Sequence, residues 1–320
     1  MDGSNLLSYW LLDFLSQANL QDQRSPTLSS LNRAPLSSKV CMEVHSSESF
    51  GFSQTTQGIT LTNKVTVAVI DTGISPEHLE NPVILPGINL SGEGTVEDTT
   101  DSGNHGTAVA KTILSIAPNT RLVPIRLMNR RGSLRDRKKV EEAFDWILEH
   151  RKSLGIQIVC AAFADFSNAT SDAEHRGSRL QQQIAALREM NVLTVAPAGN
   201  WYQQFRRKSS QGMAWPAIIR EVISVGEVER REDGLYLTHR TQRLHVTSGT
   251  GCQTTIFTTS GELGNTSGSA AVIVGKIAAL IQTSSLTSQE KIIIGLLENQ
   301  QIASDENGLN RLSVDSGSKF

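Results

Sequence analysis

Strands and helices alternate along this chain, which predicts an α/β domain built on a mostly parallel sheet, with helices between successive strands. Three observations carry that reading. The run Val65-Thr66-Val67-Ala68-Val69-Ile70 is β-branched and apolar, the pattern of a strand buried on both faces. Helical periodicity and short apolar strands then take turns as far as Ile281. Last, Ala271 to Ile281 is apolar all round except for Lys276, which predicts a helix running through a core. At about 12 to 14 residues that helix is too short to span a bilayer.

Composition narrows the class. The 320 residues are 38% apolar and 19% charged, with a net charge of −2, so nothing in the charge balance points to nucleic acid or a membrane surface as partner. The length accommodates one domain of roughly 240 to 260 residues plus tails. Cys41, Cys160 and Cys252 have no metal-ligand spacing and make no disulfide framework, which suits a reducing compartment.

At the N-terminus, Leu6, Leu7, Trp10, Leu11, Phe14 and Leu15 recur at spacings of three and four and predict a short amphipathic helix. Gln21 to Gln54 is rich in Ser and reads as an irregular linker. Asp2 and Asp13 interrupt the apolar residues and no basic segment precedes them. No signal peptide or transmembrane helix is read there, so a cytoplasmic location is expected.

The first strand ends at Asp71-Thr72-Gly73, which places Asp71 at the carboxyl end of a strand, where open α/β sheets hold their sites. Asp-Thr-Gly is also the signature of aspartic proteases. Those need two such carboxylates, and this chain carries one copy; a homodimer would supply the second, but such subunits are much shorter. His105-Gly106-Thr107 follows a polar loop containing Asp98, Asp101 and Asn104, and Ala108 to Ile116 reads as a helix ended by Pro118. A lone histidine there serves packing more often than chemistry. Arg121 to Met128 is the next strand and Asn129 to Ser133 a basic loop. A helix follows over Val140 to Glu149, a strand over Ile156 to Phe163, a helix over Leu180 to Met190 and a strand over Val192 to Ala196. Ala198-Gly199-Asn200 closes that strand, where Asn200 by itself reads as a left-handed turn residue. Val222 to Gly226 is another strand, Ser288 to Gln300 a final helix, and the last twenty residues read as frayed.

The segment Gly264-Asn265-Thr266-Ser267-Gly268-Ser269-Ala270 opens the apolar helix. Thr266 or Ser267 is expected to cap it through a hydroxyl. A serine so placed also meets backbone donors and the positive end of the helix dipole, which suits a nucleophile whose reaction develops an oxyanion. A plain capping role is the alternative.

Asp71, His105 and Ser267 thus stand in the order Asp, His, Ser, each at a strand end or a helix start. A hydrolytic triad needs a serine, a histidine to take its proton and a carboxylate to hold the imidazole tautomer. On Val67-Ala68-Val69-Ile70-Asp71-Thr72-Gly73, His105-Gly106-Thr107, Ala196-Pro197-Ala198-Gly199-Asn200 and Thr266-Ser267, the sequence resembles the subtilisin-like serine proteases, the subtilase family. The resemblance covers about residues 62 to 300. Weaker matches are Ile116-Ala117-Pro118 and Trp215-Pro216-Ala217. It implies a three-layer fold with helices on both faces of a mostly parallel sheet, a peptidase domain over residues 61–302, an N-terminal extension over 1–60 in the place of a propeptide, and a flexible tail over 303–320.

It also implies a serine endopeptidase acting on protein or peptide. Ser267 is then the nucleophile, with a His105 ring nitrogen against it as base and the other facing Asp71. Asn200 donates its side-chain amide to the oxyanion. Met128, Ala162, Phe163, Ala164 and Ala214 fall in the substrate-binding segments. Ala164 and Ala214 stand where the family has Gly, so the primary pocket is expected to be narrow and to favour small side chains. Arg130 and Arg131 lie where acidic substrate residues would pass, or form a solvated basic loop. Asn265 replaces a usual Gly before the Thr-Ser pair, Ala271 replaces a Pro, and Ala108 and Lys111 replace a usual His and Gly. A catalytically impaired peptide-binding relative is the alternative reading, and an esterase or transferase on the same triad a third. No cofactor is implied. Glu93, Glu97, Asp98 and Asp101 share a loop, but no calcium-ligand spacing is legible in them.

Overall fold

The structure, a computed structural model, describes residues 64–80, 82–205, 211–245, 252–283, 288–297, 300–304 and 310–314. The predicted N-terminal helix and Ser-rich linker lie outside the described residues.

The β-branched run forms strand β1, Thr66–Asp71, and every residue in it is buried. Two short strands follow, β2 (Val83–Ile84) and β3 (Ile88–Asn89), then helix α1 (His105–Ile116) and strand β4 (Arg121–Arg126). Helix α2 spans Lys138–Leu154 and ends where Gly155 takes a left-handed φ of 66°, a conformation that releases the chain from a helix. Then come β5 (Ile156–Ala161), α3 (Arg179–Glu189), β6 (Leu193–Pro197) and the single turn α4 (Tyr202–Phe205). The remaining elements are β7 (Ile223–Arg231), β8 (Gly234–Leu237), β9 (Ile256–Thr258), α5 (Asn265–Thr283), α6 (Gln289–Leu297), β10 (Gln300–Ser304) and β11 (Asn310–Val314).

The strands lie in the order β11-β10-β8-β7-β6-β5-β1-β4-β2, with β3 also on β4 and β9 also on β7. From β7 to β4 every pairing is parallel, as predicted. Burial alternates by face, since successive side chains of a strand point to opposite sides. Ala68 and Ile70 share a core cluster with Val140, Phe144 and Ile147 of α2 and Leu180, Ile184 and Leu187 of α3. Val67 and Val69, equally buried, belong to the other face, where α1 and α5 pack against each other.

Three expectations change. The apolar helix begins at Asn265, so Thr266 and Ser267 lie in its first turn and are not its caps. The cause is a pair of left-handed residues, Gly264 (φ 70°) and Asn265 (φ 61°), that turn the chain directly into the helix. At 19 residues it is long enough to cross a membrane, yet 83% of its apolar window is buried inside the protein, so it is a core helix. Second, β7 runs on to Arg231 because a two-residue turn returns the chain as β8, with Arg231 opposite Gly234. Third, the chain beyond 302 does not simply fray: β10 and β11 pair antiparallel, and β10 joins the edge of β8 in parallel. Neither strand has an apolar pattern of its own; the open edge of β8 supplies the partner.

Candidate active site

The site forms at the carboxyl end of β1. Strands β4 and β5 flank β1 on either side, so the chain reverses its winding direction there, and such a reversal opens a crevice at the strand ends. Asp71 is the last residue of β1 and is fully buried. Its carbonyl receives the N–H groups of Leu127 (2.8 Å) and Met128 (3.2 Å), and its Oδ1 receives the Thr72 N–H at 2.6 Å.

His105 opens α1, and its Nδ1 lies 2.7 Å from Asp71 Oδ2 and 2.9 Å from Oδ1. A carboxylate only accepts, so Nδ1 carries the proton and Nε2 is the basic nitrogen. The ring is 36% exposed while the Asp71 carboxylate has no exposure, so the histidine faces the crevice with its partner behind it. Gly106 allows this approach: a Cβ there would sit 2.2 Å from the Gly73 carbonyl oxygen and 3.0 Å from Asp71 Cβ. Burial works to lower the His105 pKa. The hydrogen bond and charge of Asp71, helped by the charge of Asp101, outweigh it, and His105 titrates above the ordinary 6.5.

Asp101 organises the turn before α1. Its Oδ1 accepts from Thr72 Oγ1 (2.7 Å), Gly103 N–H (2.8 Å) and Asn104 N–H (2.9 Å). Its Oδ2 accepts from the Thr107 N–H (2.8 Å) and hydroxyl (2.5 Å). It therefore does the work of a cap, since Asn104 makes no side-chain cap bond. Burial raises its pKa, but the hydrogen bonds from Thr107, Thr72 and Gly103 carry it below the ordinary carboxylate value.

Ser267 lies in the first turn of α5. Its hydroxyl donates to the Ala162 carbonyl at 3.4 Å, and the Ala162 N–H donates to the Ile70 carbonyl at 3.3 Å. This chain of contacts brings Ser267 to the sheet end that holds Asp71. Among the described residues no hydrogen bond joins Ser267 to His105; the hydroxyl is turned to Ala162 instead. The Ser267 N–H belongs to the first turn of a helix, whose amides have no intrahelical acceptor. Asn200 comes to the same turn: its Oδ1 accepts from the Thr266 N–H (3.0 Å) and hydroxyl (2.9 Å). Its Nδ2 is thereby the end left for another acceptor.

The other expected positions are partly assembled. Asp165 N–H donates to the Trp215 carbonyl at 3.0 Å, which sets the segment containing Ala162, Phe163 and Ala164 beside the one containing Ala214. The Phe163 ring packs on Trp215, with centroids 6.1 Å apart. Ala164 is half-buried and accessible, but Ala214 is fully buried. A Cβ built on Gly199 would lie 2.9 Å from the Ala214 methyl, so that methyl backs Gly199 and does not line the pocket as expected. Met128 is buried behind the Asp71 carbonyl. Arg130 and Arg131 are exposed. In the acidic loop, Glu93 and Asp98 face Arg126, with closest approaches of 3.6 and 3.1 Å, and Asp101 serves α1. Among the described residues no group of three or more His, Cys, Asp or Glu side chains is placed to hold a metal.

The subtilase family profile matches residues 62–312. The chain belongs to the subtilase family. This subtilase is 27% identical to subtilisin DY of Bacillus licheniformis over 178 residues, 53% of its own length and 58% of the relative's, so the match spans a little over half of that curated relative. Among solved structures it is similar to sphericase, with TM-score 0.59, 19% identity, and 75% of this chain and 86% of the other covered. It is also similar to a lanthipeptide protease, with TM-score 0.57, 16% identity, and 73% and 79% covered. Both likenesses confirm the subtilisin-like fold.

Asp101, which ties the turn before His105, and the Thr266 contact to Asn200 were given no role in the sequence analysis. For Asp101 a signal existed, an acidic residue shortly before a helix that opens on His105.

Proposed function

We propose that the protein is a serine endopeptidase in which Asp71, His105 and Ser267 act as a triad. The observation that carries this is the Asp71–His105 pair at the carboxyl end of β1 (2.7 Å), with the Ser267 hydroxyl tied to the neighbouring strand end. Ser267 Oγ turns from the Ala162 carbonyl toward His105 Nε2, passes its proton there and attacks the scissile carbonyl. The oxyanion is received by the Ser267 N–H and by Asn200 Nδ2, donors that belong to the protein and need no reorganised water. His105 then gives the proton to the leaving amine, and water repeats the sequence on the acyl-enzyme. Asp71 holds the tautomer and stabilises the imidazolium.

A protein or peptide is the proposed substrate, which accords with the name of the lanthipeptide protease of like fold. Cys160 and Cys252 are free, and burial pushes both thiols up, so neither competes as nucleophile. Their thiols also accord with a proposed cytoplasmic location. A fluorophosphonate probe tests the reading. The wild-type chain is expected to be labelled on Ser267, with labelling lost in Ser267→Ala and slowed strongly in His105→Ala. An unlabelled wild-type chain, or equal labelling of Ser267→Ala, would overturn it.

A further inference from the structure

Asn265 stands at the first position of α5 with φ 61°, directly before Thr266 and Ser267. A side-chain-bearing residue pays for that conformation; Asn tolerates it best because its short amide finds a local partner. Here the partner is remote. Asn265 Oδ1 accepts a 2.6 Å hydrogen bond from Arg240 Nη1. Arg240 is fixed in turn. Its Nε lies 3.7 Å from Glu227 Oε2, within reach of the charge but too far for a hydrogen bond. Glu227 is buried, and its two oxygens accept from Thr238 Oγ1 (2.8 Å) and Ser260 Oγ (2.7 Å). Ser260 also abuts the nucleophile turn: a Cβ on Gly268 would sit 2.4 Å from its carbonyl oxygen.

The backbone of Arg240 reaches the other half of the site. Its carbonyl accepts the Tyr202 N–H at 3.0 Å, and two residues on the Gln242 N–H donates to the Gly199 carbonyl at 2.8 Å. Asn200 lies between those two points. A ring therefore closes: Asn200 to Thr266, along the chain to Asn265, across to Arg240, and back through Tyr202 to Asn200.

We propose that Arg240 is a positioning residue, whose side chain holds Asn265 left-handed and whose backbone holds the Asn200 segment, so that the spacing between Asn200 Nδ2 and the Ser267 N–H is set from one residue. This rests on the reading of Ser267 as nucleophile and Asn200 as oxyanion donor. It explains how Asn stands in a position where the family has Gly: the guanidinium supplies what glycine's freedom otherwise supplies.

A double-mutant cycle on the full chain tests it, with Arg240→Ala, Asn265→Gly and the pair together. Arg240→Ala is expected to slow fluorophosphonate labelling and kcat about tenfold with KM little changed, within the range of couplings between contacting residues. In the Asn265→Gly background the same substitution is expected to cost less than about threefold, because glycine takes φ 61° unaided. An unchanged labelling rate in Arg240→Ala, an equal loss in both backgrounds, or a loss confined to Tm would overturn the proposal. Hydrogen exchange over residues 264–268 gives a readout independent of turnover. Exchange there should quicken in Arg240→Ala relative to the wild-type chain, and should be nearly the same in the pair as in Asn265→Gly. If the wild-type chain takes no label but exchange follows this pattern, the nucleophile reading falls and the positioning role stands; if labelling is normal and exchange is indifferent to Arg240, the positioning role falls alone.

Discussion

Thr266 holds Asn200 by two bonds to one oxygen, from its N–H at 3.0 Å and its hydroxyl at 2.9 Å. An amide has one acceptor end and one donor end, so fixing Oδ1 fixes where Nδ2 points. The residue beside the proposed nucleophile thus aims the proposed oxyanion donor.

Asn200→Ala should lower kcat by about 10²- to 10³-fold with little change in KM, the magnitude that removing such a donor costs subtilisin itself. Asn200→Asp should be at least as harmful. The aspartate would still accept from Thr266, but it would present a second acceptor to the developing oxyanion. Steady-state kinetics on a peptide substrate measure both; a loss appearing only in KM contradicts the role.

His105, the proposed base, should set the pH response. Its base is the neutral imidazole, and its pKa lies above 6.5, so the acid limb of kcat/KM should inflect on the alkaline side of that value. Asp71→Asn should move the inflection down and cut the rate by about 10⁴, because the amide favours the wrong tautomer. For stability the sign runs the other way. A folded pKa above the unfolded one favours the protonated folded state, so the contribution is complete below pH 6.5 and is lost as pH rises through the higher folded value. Comparing Tm against pH for the wild-type chain and Asp71→Asn measures it: the wild-type advantage should shrink across that window.

Asp101→Ala removes the acceptor of five hydrogen bonds in the turn before α1. It should cost about 2 kcal/mol, as the loss of a strong helix cap does, and should slow labelling of Ser267 because His105 begins that helix. Its folded pKa is depressed below 3.8, so its contribution is present above that value and lost as pH falls through the folded pKa. Acid unfolding of wild type and Asp101→Ala should therefore converge at low pH.

Ala164, which the family resemblance puts in the substrate-binding segment, is half-buried and accessible, whereas Ala214 is fully buried against Gly199. If Ser267 acts as proposed, the unmutated chain should favour small side chains before the scissile bond. Ala164→Gly alone should raise cleavage after Phe relative to Ala by roughly 10-fold or more, the worth of about one methylene in a pocket. Ala214→Gly should loosen the Gly199 turn and lower turnover for both substrates alike. A wild-type preference for Phe, or an unchanged ratio in Ala164→Gly, contradicts this.

Much of the molecule was readable from local pattern. The β-branched run to Ile70 declares a strand buried on both faces, and the segment around Ser267 declares a core helix, because burial demands apolar residues with a fixed period. The order Asp71, His105, Ser267 and the segment ending at Asn200 marked the family and the proposed roles. What the sequence leaves open is whatever depends on atoms far apart in the chain. The edge of β8 makes a strand of Gln300–Ser304, whose own pattern asks for none. Gly106 reads as an ordinary residue until its missing Cβ is set against the Gly73 carbonyl. Ala214 faces the back of Gly199, a direction no spacing rule supplies. Arg240 reaches Asn265 across 25 residues because a hydrogen bond of 2.6 Å depends on distance in space alone.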